Sequence, residues 1–437
     1  MKVIHCLRNY FPDKTGGTEI YVRGLCKALA AFGVSVVIVK PNFSGTAASY
    51  VFDGISIKEY NETASPTVSL QSGVEPPAGL QAFKNILLEE QPNAVHFHET
   101  AGSTGITIYH LKAAKALGFT VFSTFHLAGN ICMRNTFLYK GKHTCDGIIK
   151  INKCAACMLH YRGVKGVLPN VIAAVSPFIN KKIAGRGIKK LFNYPLYIQK
   201  HYSDLQMVNK LSARMFVLSN WYRNLAIANG MDAQKITLLP PAVDMRSFAA
   251  DKRLPLQNGK PMLFIYAGRI AKIKGLEVAI DALVALPSSN WELHIYGNVY
   301  DEAYYKRCLG KANNNHNIHW KAAVPHEVLL TILPQYHALL FPSLVQETMG
   351  LIVLEAMAAG LAVIGSNIWS VQEFTTNGRY GFLFEPGNTK ALTELLQNIL
   401  GQPSLLQTKP LQNTLAGGME LVAEKTFEAY SSVTVQP

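Results

Sequence analysis

Short apolar runs alternate with helix-period segments from one end of this chain to the other. In the first half they fall at residues 2–7, 34–39, 94–97, 120–125, 171–175, 215–218 and 236–239. The second half has runs at 262–266, 293–296, 338–341, 361–364 and 382–384. Strands that are apolar throughout, set between helices, predict parallel sheets covered on both faces. The stretch 247–261 is polar and broken by proline and glycine, which predicts a linker. The expected division is a domain over 1–246 with an insert at 127–165, a second over 247–405, and a tail over 406–437 with a helix near 419–430. At 437 residues the chain is long enough for two α/β domains of ordinary size.

Composition narrows the class. A hydrophobic content of 49% against 16% charged residues describes a well-cored globular protein and excludes a disordered one. No apolar run reaches the roughly eighteen residues of a transmembrane helix; the stretch 351–364 is interrupted by Glu355 and Gly360. Lys2 and Arg8 frame a first segment too short for a signal peptide, so a cytoplasmic location is expected. The net charge of +14 favours anionic partners: a nucleotide diphosphate or an anionic lipid surface. Basic residues concentrate at 180–190, beside the aromatic-rich 191–197; this is either a solvated connection or a segment that lies on a membrane. No nucleic-acid module is present in the sequence, so no nucleic-acid partner is expected.

The densest chemistry lies at 342–366, where Glu347 and Glu355 stand eight positions apart. The pattern reads as strand, polar loop, helix from about Gly350 to a left-handed stop at Gly360, then strand. In such a βαβ unit, ligands bind beyond the carboxyl ends of the strands, and phosphate sits at a helix N-terminus. Free N–H groups at Thr348, Met349, Gly350 and Leu351 suit a diphosphate, while carboxylates there suit sugar hydroxyls. An isolated pair of this kind is usually two solvated glutamates, so its surroundings decide.

Those surroundings closely resemble the donor-binding signature of retaining, family 4-like (group 1) glycosyltransferases of GT-B fold. Asn9-Tyr-Phe-Pro12 followed by Gly16-Gly17-Thr18-Glu19 resembles the family's first glycine-rich loop. Gly268-Arg269 with Lys274-Gly275 resembles its G-R-x4-K-G loop, Gly297 its nucleotide-side glycine, and 381–387 a further stretch near the C-terminus. Leu238 to Asp244 resembles the interdomain hinge, with Pro241-Ala242 in place of the usual Asn-Gly. The motifs run in order through most of the chain, which is more specific than any one of them.

The resemblance implies two Rossmann-like, doubly wound parallel-sheet domains facing a central cleft, with the tail crossing back onto the first. It implies a UDP- or GDP-type sugar donor held mainly by the second domain, a glycan or lipid-linked acceptor on the first, and retention without an evident covalent nucleophile. No D-x-D occurs, so metal-independent transfer is expected, with Arg269 and Lys274 neutralising the diphosphate. His126 ends a strand where the family places a histidine that reaches the donor sugar, although Leu127 replaces the frequent aspartate. His126, Glu347, Arg269 and Lys274 are therefore the expected catalytic residues. Gly16, Gly17, Gly268, Gly297, residues Thr348 to Leu351 and Glu355 are expected to bind the donor. His96 and His98 share one sheet face and either line the acceptor side or are structural. The expected product is a surface polysaccharide or glycolipid. A GT-B nucleotide-sugar epimerase, a glycan phosphorylase and a non-catalytic sugar-binding relative are the alternatives.

Four of the seven cysteines, Cys132, Cys145, Cys154 and Cys157, fall in the insert. Cys154-Ala-Ala-Cys157 has the gap of a zinc knuckle, and His143 is a substitute ligand. A structural zinc over the acceptor side is one reading; four unligated thiols are the other. Disulfides do not suit a reducing cytosol.

Overall fold

The computed structural model describes the chain apart from residues 14–15, 66–72, 101–104, 180–187, 242, 244–253, 258, 288–289, 377, 379, 407–417 and 435–437. Most of the basic run 180–190 and much of the expected linker 247–261 lie outside the described residues. The chain forms two compact units, Met1–Pro241 with Met419–Pro437, and Ala242–Gly418.

The first unit is built on ten strands: β1 (Lys2–Cys6), β2 (Ser35–Asn42), β3 (Ser49–Phe52), β4 (Ile55–Asn61), β5 (Ala94–Phe97), β6 (Thr120–Phe125), β7 (Leu138–Tyr139), β8 (His143–Thr144), β9 (Arg214–Val217) and β10 (Ile236–Leu238). Eight of them form one sheet in the order β10-β9-β6-β5-β1-β2-β4-β3, while β7 and β8 make a separate hairpin. All pairings in the large sheet are parallel except β3 with β4. The helix Gly418–Thr434 belongs to this unit: Tyr430 is buried against His96 and Phe122, and Phe427 stacks on Phe32.

The second unit holds β11 (Met262–Ala267), β12 (Trp291–Tyr296), β13 (Ile318–Lys321), β14 (Ala338–Phe341), β15 (Ala362–Ser366) and β16 (Gly381–Phe384), all parallel, in the order β13-β12-β11-β14-β15-β16. Its central strands β11, β14 and β15 are apolar on both sides because each face has its own core. Phe264, Leu293, Leu340 and Ile364 point into one, and Ile265, Leu339, Phe341 and Val363 into the other. That two-sided burial is why the runs carry no polar alternation.

Two expectations change. Residues 171–175 are not a strand but part of the helix Leu168–Ile179. Its buried positions are the small Pro169, Ala173 and Ser176, so the apolar Leu168, Val171, Val175 and Phe178 follow a helical stripe that faces outward. Conversely, β3, β4 and β13 are strands that no continuous apolar run announces. β3 and β13 lie at sheet edges and β4 next to one, and Lys58, Glu59 and Lys321 break the pattern.

Candidate active site

In the second sheet the chain leaves β11 toward β12 and β13 on one side, then returns to add β14, β15 and β16 on the other. The reversal falls between β11 and β14, and open α/β sheets bind ligands at the carboxyl ends of the strands there. The loop after β11 carries Gly268, Arg269, Lys274 and Gly275; the loop after β14 carries Ser343, Glu347 and Thr348. These two loops are locked together. Gly275 adopts φ +67°, and a Cβ there would lie 1.9 Å from the Pro342 carbonyl oxygen. Leu344 N–H donates to the Ile273 carbonyl at 2.9 Å. Gly297, at the end of β12, is packed as tightly, since its Cβ would meet the Gly268 carbonyl oxygen at 1.9 Å.

The close approach brings Lys274 and Glu347 into contact. Lys274 Nζ donates to Oε1 at 2.8 Å and to Oε2 at 2.7 Å, and Ser343 Oγ donates to Oε1 at 2.5 Å. Lys274 is thus not an isolated cation, as the sequence had implied, but half of a largely buried ion pair. Arg269 is exposed and rests against the Tyr300 ring, 5.2 Å from its centroid. The helix Leu351–Ala358 begins at Gly350 with no side chain capping it, so its first N–H groups face the loop of Glu347, Thr348 and Met349. Glu355, only 3% exposed, is engaged by His326 Nε2 at 2.7 Å from Oε1. Ser343, Tyr300 and His326 are the residues sequence reasoning passed over. Ser343 lies in the motif itself; His326 carries no local signal of its role.

The first sheet has the same reversal around β1, which β2 and β5 flank. Gly16 caps the helix Gly17–Ala30 in extended conformation, and Glu19 is buried in its first turn. At this end of the sheet four imidazoles form a buried ladder. His5 Nδ1 and His98 Nε2 are 2.9 Å apart, and His98 Nδ1 and His126 Nε2 are 3.0 Å apart. His96 contacts Tyr430 Oη at 2.5 Å and Thr124 Oγ1 at 2.7 Å. Burial holds His5 and His126 down to about 3 and His96 and His98 well below the usual histidine range, so all four are neutral. His96 and His98 are therefore structural partners rather than exposed ligands. His126 is 3% exposed, with the Tyr21 ring edge-on at 5.0 Å between centroids. Its imidazole is part of the packed ladder, and the following Leu127 carbonyl accepts from Tyr222 Oη at 2.9 Å. Cys132, Cys145, Cys154 and Cys157 line one small cavity in this unit. Arg269, Lys274, Glu347, Thr348 and the helix of Glu355 thus belong to the second unit, and Gly16, Gly17 and His126 to the first.

Comparison with known proteins fits this arrangement. Residues 15–247 match the family model described as Glycosyltransferase Family 4, and residues 248–413 match that of Glycosyl transferases group 1. Sulfoquinovosyl transferase SQD2 of Arabidopsis thaliana is 28% identical over 41% of this chain and 36% of its own length. The amylovoran biosynthesis glycosyltransferase AmsK of Erwinia amylovora is 24% identical over 57% of this chain and 63% of its own. The chain therefore aligns with between about a third and two thirds of these relatives' length. Among solved structures, Anabaena HepE in complex with UDP superposes with a TM-score of 0.65 at 13% identity, covering 99% of this chain and 100% of that one. With a family model spanning more than half of its residues and a fold shared with GT-B glycosyltransferases, this chain belongs to glycosyltransferase family 4.

Proposed function

We propose that the protein is a retaining glycosyltransferase that moves a sugar from a nucleotide diphosphate to an acceptor hydroxyl without a metal at the donor site. The observation that carries this reading is the chemistry gathered at the β11/β14 reversal: an exposed guanidinium, a lysine–glutamate pair and an uncapped helix N-terminus. Arg269 and the N–H groups at the start of the helix Leu351–Ala358 take the diphosphate. Lys274 directs its remaining N–H as a hydrogen-bond donor to the leaving phosphate, since an ammonium has three donors and Glu347 uses two.

Glu347 acts by holding the donor sugar and Lys274 in place rather than by attacking. Both of its oxygens are engaged, Oε1 by Ser343 and both by Lys274. Front-face attack assisted by the leaving phosphate then accounts for retention. Glu355, oriented by His326, accepts from ribose hydroxyls with its second oxygen. The UDP bound by HepE supports a uridine-type donor.

The acceptor belongs to surface polysaccharide or glycolipid assembly at an anionic membrane face. AmsK, with its named role in amylovoran biosynthesis, supports the first. The outward stripe of the helix Leu168–Ile179 supports the membrane: Val167 is 73% and Phe178 87% exposed, close in sequence to Arg162, Lys165, Lys189 and Lys190. No helix among the described residues is long and apolar enough to cross a membrane.

The test is thermal-shift binding of UDP, GDP and ADP and their sugar conjugates in EDTA, followed by transfer assays with the series that binds. Selective stabilisation that is lost in Arg269→Ala supports the donor site. Equal stabilisation of Arg269→Ala, or a strict metal requirement, refutes it.

A further inference from the structure

We propose that Cys132, Cys145, Cys154 and Cys157 bind one structural Zn²⁺ that fastens the loop after β6 to the helix Ile151–Tyr161. This does not depend on the donor chemistry. The four residues come from separate stretches of chain. Cys132 follows the short turn Ala128–Asn130, Cys145 leaves the β7–β8 hairpin, and Cys154 and Cys157 occupy one face of the helix. All four nevertheless line a single cavity of about 40 Å³.

Two of the sulfurs already have oxygen partners: Cys145 Sγ contacts Asp146 Oδ1 at 3.5 Å and Cys157 Sγ contacts the Leu138 carbonyl at 3.7 Å. Cys157 Sγ accepts the Lys140 backbone N–H at 3.1 Å and Arg134 Nη1 at 3.5 Å. Such donors stabilise a metal-bound sulfur and fix its direction. Four thiolates around Zn²⁺ would carry a net charge of about −2; Arg134 lines the same cavity and offsets part of it, while Lys153, also in the lining, is paired with Asp146 at 2.8 Å. The segment also needs a fastener. Asn135, Phe137 and Lys140 are three of the eight non-glycine residues with positive φ among the described residues, each costing about 1–3 kcal/mol. Its only regular structure is a hairpin of two-residue strands.

The ligand-type atoms already within 4.8 Å of one another, among the described residues, are those of His5, His96 and His98 and of Glu292, His294 and His319. No three of the cysteine sulfurs lie within 4.8 Å of one another, against the roughly 3.8 Å edge of a tetrahedron of 2.3 Å Zn–S bonds. Loading the metal therefore draws the hairpin toward the helix and closes the cavity.

The experiment is elemental analysis of the full chain purified without chelator, with thiol titration of the native protein and cobalt substitution. We expect one zinc per chain and four thiols that become reactive only when zinc is chelated, the remaining Cys6, Cys26 and Cys308 being buried throughout. Cobalt should give sulfur-to-metal charge-transfer absorption, which the two imidazole groups cannot produce. Cys154→Ser should lower zinc occupancy at least tenfold, while Cys308→Ala, in the other unit, should leave it unchanged. If Cys154→Ser does not fold, the metal content and cobalt spectrum of the native chain decide alone. Folded protein with no zinc and four reactive thiols overturns the proposal. So does iron with acid-labile sulfide, or cobalt bound without sulfur charge transfer.

Discussion

Replacing Gly275 by alanine tests whether the β11 and β14 loops are one rigid device. The methyl group would meet the Pro342 carbonyl oxygen at 1.9 Å and its carbon at 3.0 Å, both backbone atoms that cannot rotate away. The backbone there is at φ +67°, which costs a non-glycine residue about 1–2 kcal/mol. Relieving the overlap means moving the loops apart by more than an ångström, at a further cost of about 1–3 kcal/mol. That motion also stretches the Leu344-to-Ile273 hydrogen bond and the Lys274–Glu347 pair. The sum, about 2–5 kcal/mol, lowers the melting temperature of a domain this size by roughly 4–20 °C. Gly387→Ala is the control: it has φ +78°, but its nearest neighbour is Leu344 Cδ2 at an ordinary 3.6 Å. Calorimetry of both variants, with nucleotide binding, reads the result. A Gly275→Ala protein that melts with the Gly387→Ala protein and binds nucleotide normally would refute the argument that this contact sets the site.

Lys274→Ala strands the Glu347 carboxylate in a largely buried position and should destabilise the second unit by about 3 kcal/mol. The apolar pair Lys274→Met with Glu347→Leu should recover most of that stability but not transfer, which denaturant titration and activity assays separate. The imidazole ladder predicts acid sensitivity. His5 and His126 keep folded values of about 3 against an ordinary 6.5, so the unfolded chain takes up protons first. Their stabilising effect is complete above about pH 6.5, and each loses about 1.4 kcal/mol per pH unit as pH falls toward 3. A melting temperature flat from pH 7 to 5 would contradict it. Phe178→Asp with Val171→Glu should abolish sedimentation with vesicles containing phosphatidylglycerol while leaving nucleotide binding intact; unchanged sedimentation would remove this helix from the membrane reading.

The central strands were legible because burial on both faces leaves an uninterrupted apolar run. Residues 94–97, 120–125 and 338–341 match β5, β6 and β14 to the residue. The strands β4 and β13 were not, since they mix Lys58, Glu59 and Lys321 into the pattern. The run 171–175 misled for a related reason. Local apolarity does not distinguish a buried strand from a helix that shows its apolar stripe to the outside. The donor motifs were legible as a set, because glycines, cations and carboxylates at fixed offsets are visible without coordinates. Their pairing was not. Nothing in the sequence says that Lys274 reaches Glu347 seventy-three positions away, or that His326 reaches Glu355.

That pairing changes the electrostatics assigned to the site. Two free cations beside a carboxylate would give a net charge of about +1 spread loosely over the two loops. The observed arrangement cancels Lys274 against Glu347 at 2.7 Å and leaves Arg269 exposed against the Tyr300 ring. A guanidinium on an aromatic face keeps its planar fork of donors free for a phosphate. Discrimination between phosphorylated and unphosphorylated ligands should therefore rest on Arg269, while Lys274 acts mainly by holding the Glu347 carboxylate in place. Arg269→Lys should then weaken UDP binding far more than uridine binding, whereas Lys274→Arg should weaken transfer more than it weakens UDP binding. Equal losses for UDP and uridine in Arg269→Lys would return the phosphate role to the helix N-terminus alone.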